Sequence, residues 1–158
     1  MANKVYGARE DLGNKGGNDG YNFIGRGLKQ LTGRGNYTKF QTFYNNENPN
    51  DKKDFLNNEE HRKEIATNPK LVLLSTVYFW STYTHVAPQK GHHHRHYRKH
   101  FQGKKSYEIA DDTIKTDQEK SESITYIVNR GTNTYGTRYD EYKRIRDMQI
   151  FKDFPSKE

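Results

Sequence analysis

The most strongly apolar stretch of the chain covers residues 69–84 and predicts its principal helix. Asn68 is a residue type that caps helix N-termini, and Pro69 suits the first helical position. The run that follows, LVLLSTVYFWSTY, is apolar almost all round rather than on one face. Because such a helix is typical of a protein interior, we expect it to be central and buried, with Trp80 in the core.

Three further segments carry apolar residues at helical spacing and predict shorter helices, namely 34–44, 118–129 and about 136–149. Their stripes consist of Tyr37, Phe40, Phe43 and Tyr44 in the first, Ile124, Ile127 and Val128 in the second, and Tyr135, Tyr139, Tyr142 and Ile145 in the third. The segments 7–20 and 45–58 are rich in turn-forming residues and predict loops. No strand pattern and no internal repeat occurs, so the predicted fold class is mostly α.

Composition limits the size of the core without removing it. Of 158 residues, 30% are hydrophobic and 30% are charged, while aromatic residues, each of which can bury a large area, reach 13%. The length fits a single domain over residues 1–158. No apolar run approaches the ~20 residues of a membrane-spanning helix, so no membrane span is predicted. Because the chain has no cysteine, disulfides and a thiol nucleophile are excluded.

The formal net charge of +7 favours polyanionic partners, which include nucleic acid, anionic lipid and an acidic cell envelope. Charge alone does not choose among them. Residues 1–6 contain no apolar signal-peptide core. We therefore expect cytoplasmic synthesis, with action at the cell wall if another route delivers the protein.

A basic, histidine-rich segment at about 89–105 is expected to be an excursion from the domain. Its histidines are His92, His93, His94, His96 and His100. A helix could present His96 and His100 together to zinc, but no carboxylate or cysteine is interleaved, and the neighbouring cations would repel a metal ion. We favour an exposed loop that adsorbs to anionic envelope polymers, and we predict no metal site and no cofactor.

The segment 20–37, GYNFIGRGLKQLTGRGNY, crowds hydrogen-bonding and aromatic side chains into a glycine-punctuated stretch. Its Gly25–Gly27 element lacks the Gly-Lys-Ser/Thr ending of a phosphate-binding loop. Two interpretations stay open. The first is a tight turn with a solvated arginine. The second is a carbohydrate site, which needs amides and hydroxyls for sugar hydroxyls and aromatic rings for the apolar sugar face.

Three blocks in the same order resemble glycoside hydrolase family 19, the chitinases and related phage and bacterial endolysins. The first block, YNFIGRGLKQLTGRGNY, is similar to the family's Tyr-x-x-x-Gly-Arg-Gly-x-x-Gln-Leu-Thr/Ser-x-x-x-Asn-Tyr. The second is NPKLVLLSTVYFWST at 68–82, and the third is IVNRGTNTYGTRYDEYKRI at 127–145. The opening ANKVYGARE is similar to an endolysin-type loop, so the resemblance covers about 1–85 and 118–149.

The resemblance implies a lysozyme-like α-helical domain with a substrate cleft, which hydrolyses β-1,4 bonds between N-acetylated sugars with inversion. That reaction needs one protonated and one ionised carboxyl group, with room between them for water. By the same resemblance, Thr32 helps to hold the attacking water. The residues expected to bind substrate are Tyr21, Gln30, Asn36, Tyr37, Asn129 and Arg138. Arg130 replaces the first glycine after Asn129, where it either crowds the backbone or adds a basic contact.

The chain departs from the family pattern at the catalytic glutamates, which in the family precede the Gly-Arg-Gly element and begin with a His-Glu pair. No such pair occurs before Gly25, and the carboxyl residues there are Glu10, Asp11 and Asp19. We interpret Glu10 and Asp11 as a solvated loop pair. The expectation is therefore an N-terminally truncated domain, completed by an upstream segment or a partner chain.

Three functions stay open. The first is a glycoside hydrolase acting on peptidoglycan, which the basic surface and the endolysin-like opening favour over chitin. The second is a glycan-binding remnant without acid and base. The third is a nucleic-acid-binding protein, ranked last because no recognised nucleic-acid-binding motif occurs.

Two structural expectations accompany these functions. The polar residues around Gly25–Gly27 and the 129–138 region are expected to line one saccharide groove. A chain without its first helices would also leave part of the 71–80 helix uncovered, so we expect marginal stability or self-association.

Overall fold

The computed structural model describes residues 1–88, 94–150 and 152, and over these residues the chain is mostly helical. The helices are α1 (Ala2–Tyr6), α2 (Asp19–Asn22), α3 (Arg34–Glu47), α4 (Glu59–Thr67), α5 (Pro69–Thr82), α6 (Ser106–Ala110), α7 (Asp117–Asn129) and α8 (Tyr135–Asp147). Short 3-10 turns cover Glu10–Leu12 and Lys99–Phe101. The described ranges contain isolated β-bridges but no strand, which agrees with the predicted lysozyme-like, all-α class.

Contacts divide the chain into two compact units, unit 1 (Met1–Trp80) and unit 2 (Ser81–Glu158). Each unit has buried aromatic residues of its own. The assignment of residues 1–158 to a single domain stays a prediction. Among the helices described, none has the length and apolar character required to cross a bilayer.

The core of unit 1 is built on α3, as its apolar stripe predicts. Tyr37, Phe40 and Tyr44 are buried on one face of this helix. The ring of Phe40 stacks on that of Phe55 with centroids 5.3 Å apart, and it lies 5.6 Å from the ring of Tyr78 on α5. Aromatic pairs at such distances add to the free energy gained from burial, so this cluster fixes α5 against α3.

The predicted helix at 69–84 is confirmed as α5, and Asn68 caps it. The side-chain Oδ1 of Asn68 accepts hydrogen bonds from the backbone N–H groups of Lys70 and Leu71, at 3.0 and 3.4 Å. These bonds satisfy donors that the first turn of a helix leaves without partners. The sequence pattern therefore locates the start of α5 correctly.

The predicted burial of α5 is wrong. Its buried residues are Leu71, Ser75 and Tyr78, all on one side. Leu73 is 59% exposed and Trp80 is 39% exposed, so the helix is not central and Trp80 is not a core residue. The apolar composition of all faces does not decide burial, because the rest of the described chain covers one face.

Helix α4 lies in a region for which no apolar stripe at helical spacing was predicted. Asn58 caps it, because its Oδ1 accepts from the backbone N–H groups of Glu60 and His61 at 2.9 and 3.2 Å. Its buried residues are Arg62 and Ile65. The loop predicted over 45–58 is confirmed from residue 48 onward, since α3 continues to Glu47.

In unit 2 the two predicted helices exist as α7 and α8, but their buried faces differ from the predicted ones. The buried residues of α7 are Glu122, Ser123, Thr125 and Tyr126, rather than Ile124, Ile127 and Val128. On α8 only Tyr135 of the predicted stripe is buried. Both corrections have one reason: the neighbouring elements of unit 2 offer polar and aromatic partners, which select a different face.

The histidine-rich segment is also different from the exposed loop expected. His92 and His93 lie outside the described residues. From His94 onward the segment is partly buried: His96 is 7% exposed, and Phe101 is fully buried. Its basic side chains contact a carboxylate of unit 2, because His100 Nε2 and Lys104 Nζ lie 2.8 and 2.9 Å from Asp112 Oδ2. His96 and Phe101 are therefore buried rather than solvated, whereas Arg95, Lys99 and His100 are exposed, and adsorption of this segment to envelope polymers stays a prediction.

Candidate functional site

The Gly25–Thr32 segment of unit 1 is a tight, hydrogen-bonded turn. Its ends meet in a β-bridge in which Arg26 and Leu31 exchange backbone hydrogen bonds. Gln30 adopts a left-handed backbone conformation with φ of +53°, which is uncommon for a residue with a side chain. The Nε2 of Gln30 donates to the carbonyl of Gly27 at 3.0 Å. Strained non-glycine residues of this kind cluster at functional sites, so Gln30 is a candidate.

Glycine is required where this turn packs most closely. A Cβ on Gly25 would lie 2.7 Å from Gln30 Oε1 and 3.1 Å from Thr32 Oγ1. A Cβ on Gly27, whose φ is +71°, would lie 2.9 Å from Ser75 Oγ on α5. Gly25 therefore allows the side chains of Gln30 and Thr32 to fold over the turn, and Gly27 allows the turn to lie against α4 and α5.

Hydrogen bonds of Arg26 and Tyr37 hold the turn in place. Arg26 Nη1 donates to the carbonyl of Asn22 at 2.9 Å and to the hydroxyl of Tyr37 at 2.8 Å. The Tyr37 hydroxyl in turn donates to the carbonyl of Ile24 at 2.8 Å. Since Tyr37 is fully buried, its ring has no face open to a sugar. The expectation of a substrate contact by Tyr37 is corrected: it supports the turn.

A buried ion pair joins α2 to α3 beside the turn. Arg34 Nε and Nη2 donate to the two carboxylate oxygens of Asp19 at 2.8 and 2.6 Å. The hydrogen bond from Arg34 is the main reason that the pKa of Asp19 lies below its ordinary value, and the backbone N–H of Lys15 adds to the shift. Asp19 is therefore ionised at neutral pH and cannot serve as a proton-donating acid.

The other predicted residues of unit 1 are placed as follows. Gln30 is exposed and Thr32 is half-buried. Thr32 Oγ1 donates to the carbonyl of Gln30 at 2.7 Å, which leaves the oxygen able to accept a hydrogen bond from water. Asn36 Nδ2 donates to the carbonyl of Thr32 at 2.8 Å. Gln30, Thr32 and Asn36 thus form one bonded set of amides and a hydroxyl.

Tyr21 is exposed over 56% of its surface, and α1 positions its backbone. The Tyr21 N–H donates to the Oδ1 of Asn3 at 2.6 Å, while Asn3 Nδ2 donates to Asn18 Oδ1 at 3.0 Å. Gly20 lies so close to α1 that a Cβ there would be 2.5 Å from the carbonyl oxygen of Ala2. An exposed aromatic ring on a fixed backbone is suited to stacking on a sugar.

In unit 2 the predicted residues Asn129 and Arg138 flank a turn between α7 and α8. Asn129 is exposed, and its carbonyl accepts from the N–H of Thr132 at 3.2 Å. Arg138 is half-buried, and its Nε donates to Thr134 Oγ1 at 3.3 Å. The turn therefore presents an amide, hydroxyls and a guanidinium, which are groups able to bind sugar hydroxyls or carboxylates.

The substitution of arginine for glycine at position 130 does not strain this turn. Its φ and ψ of −61° and −26° are ordinary helical values. The guanidinium of Arg130 lies over the ring of Tyr126, 5.1 Å from its centroid. Of the two expectations for Arg130, crowding of the backbone is not observed, and a basic contact with substrate stays a prediction.

A cluster of histidines and tyrosines anchors the same turn. The carbonyl of Arg130 accepts from the hydroxyl of Tyr135 at 3.1 Å and lies 2.5 Å from His94 Nε2. The ring of Tyr135 stacks on that of His96 with centroids 3.7 Å apart and an interplanar angle of 11°. His94 and His96 are thus parts of the packing of unit 2 rather than free cations.

Glu122 is the carboxylate at the centre of this cluster. Its Oε2 accepts from Arg98 Nη2 at 2.7 Å and lies 3.1 Å from His96 Nδ1, while its Oε1 accepts from Gln118 Nε2 at 3.1 Å. Burial alone would raise the pKa of Glu122, but the hydrogen bonds from His96 and Gln118 and the charge of Arg98 outweigh it and lower this pKa. Glu122 is therefore an ionised, structurally engaged group.

Several of these groups were not foreseen from the sequence. Glu122, His96 and Tyr135 come together from three separate segments, and no local sequence pattern predicts contacts of this kind. The Asp19–Arg34 pair joins residues 15 apart in the chain. No three His, Asp or Glu side chains among the described residues form a metal-binding group, and the predicted groove that joins the Gly25–Gly27 and 129–138 regions stays a prediction.

Comparison with curated proteins gives one partial similarity to glycoside hydrolases. Over 83 residues, which is 52% of this chain, the sequence is 29% identical to a glycosyl hydrolase family 19 domain-containing protein of Haemophilus influenzae. The matched region covers 36% of that relative, so the chain spans about a third of its length. No protein-family profile matches the chain, and no solved structure matches it. The comparison therefore points to family 19 at most, without defining a substrate.

Proposed function

We propose that this chain is a family 19-type glycoside hydrolase domain that binds β-1,4-linked N-acetylated glycans. With a complete set of carboxyl groups, the domain hydrolyses them. The observation that carries the proposal is the turn of unit 1. Its left-handed Gln30 and the bonded Thr32 and Asn36 bring amides and a hydroxyl together at the surface. The family 19 relative and the helical fold support the same assignment.

The proposed roles follow the chemistry of each side chain. Thr32 Oγ1 accepts a hydrogen bond from the attacking water, and Gln30 and Asn36 bind sugar hydroxyls and acetamido groups. Tyr21 supplies an aromatic face. In unit 2, Asn129 and Arg138 contact the substrate, and the substrate is peptidoglycan in preference to chitin, because the chain is basic.

A second candidate is a glycan-binding module without turnover. Two of the three carboxyl residues that precede the turn favour it, because Asp19 is held ionised by Arg34, and Asp11 is paired with Arg9 at 2.5 Å on the surface. Inverting hydrolysis needs a protonated acid as well as an ionised base. Neither aspartate is placed to be that acid.

Two measurements on the full chain test these functions. Sedimentation with purified peptidoglycan measures binding, and release of reducing ends with clearing of permeabilised cells measures hydrolysis. Binding with clearing supports the hydrolase, while binding without clearing supports the binding module. Binding that falls steeply with salt and is competed by nucleic acid would contradict both.

Variants at the turn locate the site. We expect Thr32→Val to weaken glycan binding or turnover by roughly fivefold, since a lost hydrogen bond in a binding site costs about 1 kcal/mol. Thr42→Val is the matched control, because Thr42 Oγ1 also bonds a backbone carbonyl but lies at an exposed position of α3, away from the turn in sequence. Equal effects of the two substitutions would remove Thr32 from the site.

A further inference from the structure

Three arginines of unit 2 lie around Tyr135 without a carboxylate partner. In the salt bridges of the described residues, Arg95, Arg130 and Arg138 do not occur, whereas Arg98 pairs with Glu122 and Glu119. An exposed guanidinium that no acid neutralises is available to an external anion. Arginine is also the side chain whose planar donor group matches a carboxylate best.

Contacts through Tyr135 bring the three arginines into one neighbourhood. Arg95 Nε donates to His96 Nε2 at 2.8 Å, and the His96 ring stacks on Tyr135. The carbonyl of Arg130 accepts a hydrogen bond from the Tyr135 hydroxyl, and the Arg130 guanidinium lies over the ring of Tyr126, 5.1 Å from its centroid. Arg138 bonds the side chain of Thr134, the residue that precedes Tyr135.

The neighbouring acid does not cancel this positive charge. Glu122 lies against His96, but its oxygens are already shared by Arg98, His96 and Gln118. Arg95 and Arg130 are exposed, and Arg138 is half-buried, so none of the three side chains is closed off from solvent. The rigid packing of His96 on Tyr135 fixes the backbone that carries them.

We propose that Arg95, Arg130 and Arg138 form a carboxylate-recognition site, which makes unit 2 select N-acetylated glycans that carry acidic groups over neutral ones. This inference rests on the proposed function, and it assigns the discrimination between glycans to named side chains. The neutral amide of Asn129 and the hydroxyl of Thr132 lie on the same turn, where they bind the uncharged part of the sugar.

The test compares one glycan with and without its charge. The probes are strands of alternating N-acetylglucosamine and N-acetylmuramic acid freed of peptide, the same strands with the lactyl carboxylates converted to methyl esters, and strands that retain peptide carboxylates. We expect the full chain to bind the free-acid strand roughly fivefold more tightly than the ester, since a few exposed charge pairs contribute at this level. A preference for the peptide-bearing strand over the free-acid strand would identify the peptide as the source of the recognised carboxylate.

Variants assign the preference to the arginines. In Arg95→Gln/Arg130→Gln the affinity ratio of acid to ester should fall to about one, while Arg130→Lys retains part of it. Arg144→Gln is the control, because Arg144 is exposed on α8 but paired with Glu141 at 2.9 Å. Circular dichroism checks that each variant is folded, and the wild-type ratio tests the proposal even if the double variant does not fold.

The outcomes separate this inference from the proposed function. Equal binding of acid and ester by the wild-type chain would overturn the carboxylate site and leave the proposed function standing. A preference that survives in a folded double variant would also overturn it. Binding of neither strand, or stronger binding of single-stranded DNA than of either, would overturn both.

Discussion

Gly27 shows how strongly a single absent side chain constrains the turn. In Gly27→Ala the new Cβ would meet Ser75 Oγ at 2.9 Å and the carbonyl of Ile65 at 3.1 Å. Because this crowding adds to the strain of a side chain on a left-handed backbone, we expect Gly27→Ala to lose about 2–4 kcal/mol in the free energy of unfolding, measured by urea denaturation. Gly16→Ala is the control, because Gly16 is left-handed too but has nothing within 4 Å of its added Cβ. Equal losses in both variants would mean that backbone conformation, and not packing, makes Gly27 necessary.

His85 connects one buried ring to the acid stability of unit 2. It is fully buried, and its ring lies 5.0 Å from those of Tyr97 and Tyr126. Burial, assisted by the charges of Arg130 and Arg98, lowers the pKa of His85 from 6.5 to about 4. The folded state therefore disfavours the protonated ring.

The lowered pKa of His85 makes the folded state less stable in acid. Because the folded pKa is the lower one, the unfolded chain binds more protons between pH 6.5 and pH 4, and stability falls as the solution is acidified through that window. The difference between the folded and unfolded pKa of His85 contributes about 3 kcal/mol to the free energy of unfolding. In His85→Phe, which keeps a ring between the two tyrosines, calorimetric melting should decline less over this pH range. Parallel decline in both proteins would show that other groups control acid unfolding.

At the scale of the helix, the cap of α5 is the clearest link between sequence and structure. Replacement of Asn68 by Ala removes the acceptor for two backbone N–H groups, and we expect a loss of about 1 kcal/mol in unfolding free energy. Asn68→Ser keeps an acceptor oxygen and should recover most of that loss. A serine variant as unstable as the alanine variant would show that Asn68 acts through some contact other than capping.

The helices followed from local patterns, while their buried faces did not. Capping residues and apolar spacing located α3, α5, α7 and α8, since both signals act within a few residues. The face that is buried depends on partners distant in sequence, as with Glu122 on α7, which is buried because Arg98 and His96 approach it. Helix α4 escaped detection because Ile65 is its one buried apolar residue, although Asn58 followed by two glutamates is a recognisable N-terminal signal.

In the candidate site, too, residues close in sequence could be predicted together, while contacts between distant segments could not. Gln30, Thr32 and Asn36 lie in one short segment, so their spacing indicated a common role, and the structure joins them through hydrogen bonds. The full burial of Tyr37 depends on packing against Phe23, whose ring centroid is 5.2 Å away, and no motif indicates it. One neighbour of Arg130, His94, comes from the histidine-rich segment, which carries no matching motif.

For the molecule as a whole, the exposed apolar side of α5 favours self-association. Leu73 and Trp80 are large apolar residues left 59% and 39% exposed, and they are separated by seven positions, so they share one side of the helix. We expect concentration-dependent self-association by analytical ultracentrifugation, which Leu73→Lys reduces. Ile114→Lys is the control, because Ile114 is 76% exposed in unit 2. A monomer at all concentrations would contradict the expectation.

The attachment of α1 to α2 has a practical consequence for protein production. Asn3 bonds both Asn18 and the backbone of Tyr21, and Gly20 lies directly against Ala2. Trimming the first six residues to obtain a tidier expression boundary would uncover Gly20 and release the backbone on which the Tyr21 ring stands. Expressed versions should therefore keep residues 1–6 intact, and a limited-proteolysis fragment that begins after Tyr6 is a poor choice for glycan-binding measurements.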